Sequence, residues 1–152
     1  MHPPQKPEQI ESECETVFTV TDYYDGPRKG IANFRGKPHF YECIFDSGKD
    51  DYSVVYRLTP LDEHVFHLAM ESWDIWRRWE RAFHTGKTNM ETHPALPQDK
   101  SRYEELKTIL DEALKSGPNA IMRMGNFFAL PDTESPPGVI RLLQVLWLEP
   151  CT

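Results

Sequence analysis

Residues 59–84 read TPLDEHVFHLAMESWDIWRRWERAFH, the longest periodic stretch in the chain and the one that carries three of its four tryptophans. At 1.5 Å per residue, about 25 residues in a helix make a rod of roughly 37 Å, as long as a small domain is wide. Thr59 is the expected N-cap, Pro60 suits the first helical position, and Asp62 and Glu63 put negative charge at the positive end of the dipole. Gly86, just past Phe83 and His84, marks the stop. At 100° per residue Leu61, Val65, Leu68, Ala69, Trp73, Ile75, Trp76, Trp79 and Phe83 share a broad apolar arc, while Glu63, His67, Glu71, Asp74, Arg78 and Arg81 fill the other. This pattern predicts a core helix lying on a sheet, with one solvated side.

The sheet is legible on either side of that helix. Residues 15–24, ETVFTVTDYY, alternate and are rich in β-branched and aromatic types, which predicts a strand. Asp25-Gly26-Pro27-Arg28 breaks it, a short strand follows over 29–34, and Arg35-Gly36-Lys37-Pro38 turns the chain again. A third strand sets Tyr41, Cys43 and Phe45 on one face; after the polar loop 46–51 a fourth aligns Tyr52, Val54, Tyr56 and Leu58. Short turns between successive strands predict an antiparallel meander. Beyond the long helix, Ser101-Arg102-Tyr103-Glu104 fits a capping box that starts a second helix, which Gly117-Pro118 ends. Two strands close the chain: 120–130, with Gly125 as a bulge position, and 139–149, apolar on both faces in its second half and therefore expected to be central. The fold class is α+β: an antiparallel curved sheet or partly open barrel of about six strands, in the order four strands, two helices, two strands. One long and one shorter helix are expected to pack against it.

Length and composition suit one domain. The 152 residues are long enough for a single substantial core, with residues 1–13 read as a flexible lead-in and 14–152 as one globular domain. A formal net charge of −7 favours solubility and argues against general nucleic-acid binding. The N-terminus lacks the apolar core of a secretory signal. The most apolar run, VIRLLQVLWL, is short and carries Arg141 and Gln144, so no membrane span is expected. Cys14, Cys43 and Cys151 have no CxxC spacing; they read as thiols in a reducing, cytoplasmic setting, with a Cys14–Cys151 bridge between the termini as the alternative.

No catalytic signature stands out. His64, His67 and Glu71 share a helical face and could ligate a metal, with His84 and His93 as further ligands, but EHVFH matches neither HExxH nor HxxEH, so neither metal nor cofactor is expected. His67–Glu71 and Asp74–Arg78 are instead read as i, i+4 surface pairs. Cys43 lies within a strand about 13 Å along it from His39, too far for activation, and reads as a small buried hydrophobe. GKT at 86–88 lacks the upstream glycine and strand of a phosphate loop. Glu80 falls inside the apolar arc, where a carboxylate needs a partner such as Arg57 or Arg123; it is a weak candidate for an acid–base group.

The strongest local feature is an asymmetry of charge. Residues 26–41 contain no acid, while Arg28, Lys29, Arg35 and Lys37 are basic and His39 is titratable, with Tyr23, Tyr24, Phe34 and Phe40 interleaved. The two turns carrying these charges lie at opposite ends of one strand. The leading functional expectation is a non-enzymatic binding module that uses residues 23–41 at the edge of strands 1–3. Tyr24, Arg28, Arg35, Lys37 and His39 would be its anchors toward a protein partner or a small anionic ligand. Two other classes fit: an enzyme on an anionic small molecule, with Glu80, Glu42, His39 or Tyr41 in a pocket between helix and sheet, and an acidic inhibitor or immunity-type protein masking a basic partner. An apolar edge strand would let two copies pair as a homodimer.

Overall fold

The computed structural model describes residues 13–130 and 142–150. Six strands form a closed antiparallel barrel in chain order: β1 (Glu15–Tyr23), β2 (Pro27–Phe34), β3 (Lys37–Asp46), β4 (Asp51–Pro60), β5 (Ile121–Ala129) and β6 (Leu143–Leu148). Between β4 and β5 come two helices, α1 (Glu63–His84) and α2 (Lys100–Ala113), joined through short 3₁₀ turns at Met90–Thr92 and Pro97–Asp99. The expected α+β order holds, and the sheet is closed. Two compact units result, the barrel strands in one and Leu61–Lys115 with both helices in the other. Among the described residues no helix is long and apolar enough to cross a membrane. The lead-in over 1–12, the start of the last strand at 139–141 and Cys151 lie outside the described residues.

Closure depends on curl. Three register shifts interrupt β1 opposite β2, and another falls between Cys43 and Phe45 in β3; each raises the local twist and bends the ribbon. The last joint is short, with only Glu15↔Val145 and Thr16↔Gln144 pairing β1 with β6. Side chains of the strands fill the interior, as a narrow barrel requires. Tyr41, Tyr56, Phe127 and Trp147 cluster with ring centroids 5.4–6.2 Å apart. Their polar atoms are satisfied: Tyr41 donates to the Thr19 carbonyl at 2.9 Å, Tyr56 to that of Pro27 at 2.8 Å, and the Trp147 indole to that of Asn33 at 2.9 Å. Gly125 is no bulge, since β5 and β6 stay in register through Gly125↔Trp147. Its missing side chain makes room for rings: a Cβ there would fall 2.6 Å from Trp147 and 2.9 Å from Tyr56.

The β2–β3 turn is set by two residues, Arg35 (φ 54°) and Gly36 (φ 76°), both left-handed as a type I′ hairpin needs. A left-handed arginine costs about 1–2 kcal/mol. Glu15 offsets it by accepting the amides of Arg35 at 2.8 Å and Gly36 at 2.7 Å.

Both helix starts differ from expectation. Thr59 and Pro60 belong to β4, paired with Phe40 and His39, because the ladder extends further than the cap signal suggested. Asp62 is the N-cap of α1, its carboxylate accepting the Val65 amide at 2.8 Å. Gly86 (φ 77°) follows the C-terminal turn, with its amide on the Phe83 carbonyl at 3.2 Å. The capping box at Ser101 is not formed. α2 begins one residue earlier, behind Asp99, which makes no side-chain cap because its carboxylate holds Arg78 at 3.1 Å through two bonds. A second bidentate pair, Arg102 to Glu71 at 2.6 and 2.8 Å, also joins the helices. Of the apolar arc, Ala69, Ile75 and Trp79 are fully buried, as are Leu106 and Leu110 of α2.

Candidate functional site

The basic, acid-free segment is divided between the two ends of β2, eight residues and about 26 Å apart. At one end Arg28 is fully engaged. It donates to the carbonyls of Tyr24 at 2.6 Å and Asp25 at 2.8 Å and to the Cys43 sulfur at 3.4 Å, and it stacks 4.4 Å above the Tyr52 ring. Cys43 is buried and donates to the Ser53 carbonyl at 3.2 Å. Lys29 lies 3.5 Å from Glu42. At the other end Arg35 and Arg123 approach the Phe34 ring at 4.9 and 5.3 Å, Lys37 is exposed, and His39 is buried edge-on to Phe34 at 5.4 Å. The His39 Nδ1 sits 2.8 Å from the Lys37 carbonyl, an acceptor, so Nδ1 is the donor of that bond. Tyr24 and Arg28 therefore come together, and Arg35, Lys37 and His39 come together; the five do not form one site.

Around Arg28 the barrel end gains aromatic residues that the sequence pattern did not single out. The β3–β4 hairpin brings Tyr52 within 6.2 Å of Tyr24 and Phe45 within 5.2 Å of Tyr52. Tyr23, Tyr24 and Phe45 remain 63%, 69% and 49% exposed. Phe45 was expected on the Tyr41–Cys43 face; the register shift after Cys43 turns it outward. Alternation alone cannot reveal such a shift, and the polar loop 46–51 gave no other sign. Carboxylates lie on or beside the same two turns in the chain, β1–β2 and β3–β4. Asp22, Asp25, Asp50 and Asp51 are exposed, Asp46 is half-buried, and Lys49 is the one cation of the β3–β4 turn. Asp46 and Asp51 partly serve their own turn, accepting backbone amides at 2.7–3.3 Å.

The candidate acid–base residues are occupied elsewhere. Glu80 is 3% exposed and paired with Arg77 at 2.8 Å, a partner from its own helix rather than Arg57 or Arg123. Glu42 accepts from Ser116 at 2.8 Å, and the Tyr41 hydroxyl is buried on Thr19. Burial holds the Tyr41 phenol well above the usual tyrosine range, with the neighbouring Tyr56 adding to it. Burial likewise pushes up Tyr56, helped by Cys43. The helical grouping is dispersed as well: His67 lies 3.6 Å from Glu63, Glu71 is taken by Arg102, and Arg78 by Asp99 rather than Asp74. Hydrogen bonds from Arg102 hold the Glu71 carboxyl below its usual range. Among the described residues no three His, Cys, Asp or Glu side chains converge as a metal site. Closure also removes the edge strand on which both the strand 1–3 edge and the homodimer expectation relied. No protein-family model, no curated protein and no solved structure matches this chain.

Proposed function

We propose that this protein is a non-enzymatic binding module whose contact surface is the barrel end carrying the β1–β2 and β3–β4 turns, and that it takes a partner segment with arginine or lysine beside apolar side chains. The supporting observation is the pair of exposed rings Tyr24 and Phe45 on either side of Tyr52, with Arg28 stacked on Tyr52 and Tyr23 exposed beside Tyr24 in the chain. Exposed aromatic residues grouped in this way are unusual on a surface without a partner, and tyrosine is favoured at interface hot spots. Asp22, Asp25 and Asp50, exposed on or beside the same turns, match cationic side chains and repel acidic ones. Arg28 acts here as scaffold: its hydrogen bonds tie Tyr24 and Asp25 to Cys43 in β3. Selection of a random peptide library on the purified protein tests this. Enriched sequences should combine Arg or Lys with apolar residues and should lose binding to Tyr24→Ala/Phe45→Ala. Enrichment of acidic sequences, or binding indifferent to the double variant, would overturn the proposal.

A further inference from the structure

The helical unit holds a cleft of about 420 Å³ between the first turns of α2 and the 3₁₀ segment that precedes it. That volume lies within the range of small-molecule sites, roughly 300–1,000 Å³. One wall is a helical stripe, Lys100, Tyr103, Glu104 and Lys107, at i, i+3, i+4 and i+7. The facing wall runs from Glu91 through His93 and Pro94 and is fixed from behind by α1. The Trp79 indole donates to the Thr92 hydroxyl at 2.8 Å and packs edge-on with His93 at 4.6 Å, Thr88 bonds Thr92 at 2.5 Å, and Asn89 caps the Glu91 amide at 2.9 Å. The wall is thus fixed through Thr92 and His93, which leaves the charged groups of the cleft out of those contacts.

Those polar groups are mixed in sign. Lys107 is paired with Asp111 at 2.7 Å, but the side chains of Lys100, Glu91 and Glu104 pair with none of the described residues, nor does the Tyr103 hydroxyl. A plain anion would meet Glu91 and Glu104, and a plain cation would meet Lys100 and Lys107. A zwitterion with an apolar body satisfies all of them. We infer that this cleft binds a free α-amino acid with a large apolar side chain. The carboxylate lies toward Lys100, the ammonium toward Glu104 and Glu91, and the side chain against the Tyr103 ring and Pro94. This site is independent of the barrel-end surface, and nothing in the sequence pattern pointed to it.

Calorimetric titration of the full chain with L-phenylalanine tests the inference, set against 3-phenylpropionate and phenethylamine, which each keep one charge. The inference predicts saturable one-to-one binding of phenylalanine. Each analogue should bind about tenfold or more weakly, the cost of one lost charge-assisted bond. Lys100→Ala and Glu104→Gln should each weaken binding about tenfold or more while melting like the parent protein, and Lys115→Ala, outside the cleft, should leave it unchanged. Lack of binding up to about 10 mM, equal binding of the analogues, or full binding by the two cleft variants would each overturn the inference. Should either cleft variant fail to fold, the analogue series decides alone.

Discussion

Tyr41 sits at the centre of the barrel, fully buried, its hydroxyl on the Thr19 carbonyl and its ring against Tyr56, Phe127 and Trp147. Tyr41→Phe keeps the packing and strips that carbonyl of its hydroxyl donor, so a loss of about 1–3 kcal/mol in chemical denaturation is expected. Gly125→Ala should cost a similar amount, about 1–3 kcal/mol, for the opposite reason: the added methyl meets two packed rings, which shift only with their neighbours. A change within a few tenths of a kcal/mol in either variant would contradict this packing. At this scale the sequence was informative about burial and weak about partners. Cys43 and Glu80 are buried, as strand alternation and helical periodicity place them. Glu80 pairs with Arg77, three residues away, because a neighbour in the same helix is fixed by geometry, whereas the strand arginines first proposed depend on tertiary placement. Phe45 was misplaced by a single register shift.

α1 and α2 are joined by two bidentate ion pairs, Arg78–Asp99 and Arg102–Glu71. These pairs explain why local cap signals failed. Asp99 is spent on Arg78 rather than on the end of its own helix, and Thr59 is spent on the β4 ladder and on the Gly117 amide at 3.2 Å. Local capping preference is worth about 1 kcal/mol and yields readily to tertiary pairing. Element existence and type were clear from periodicity, while these boundaries depended on contacts between distant segments. Because Glu71 is held below the ordinary carboxylate value of about 4.3, its stabilising contribution is complete above that value and is lost as pH falls through the lower folded one. Melting curves of the parent protein and Glu71→Gln should therefore converge as pH falls below about 4.3. Both partners are partly exposed, so added salt should narrow the gap at pH 7 as well. A gap that persists undiminished at low pH would mean that Glu71 contributes by packing rather than by charge.

Over the whole barrel, closure was the feature that alternation could not reveal, since it rests on two residue pairs between the first and last strands. The meander itself followed from short turns. The interior tyrosines give closure a signature in base. Burial raises the ionisation of Tyr41 and Tyr56 above the ordinary tyrosine value, about 10, so the stability they contribute is complete below that pH and falls as pH climbs past it. Ultraviolet titration should show these two phenols ionising only as the barrel unfolds; ionisation within the folded protein near the ordinary value would contradict a filled interior. The candidate surface was half legible. Tyr24 and Arg28 came from the charge and aromatic pattern of residues 23–41, whereas Phe45 and Tyr52 join them only through the β3–β4 hairpin. The most direct test of the central claim is the affinity of a selected peptide, basic with apolar side chains, for the parent protein and for Tyr24→Ala, measured at low and at physiological salt. The account predicts a fall of about tenfold or more with Tyr24→Ala, and a further weakening with salt that Asp25→Asn reduces. Unchanged affinity in Tyr24→Ala, or binding insensitive to salt, would contradict it.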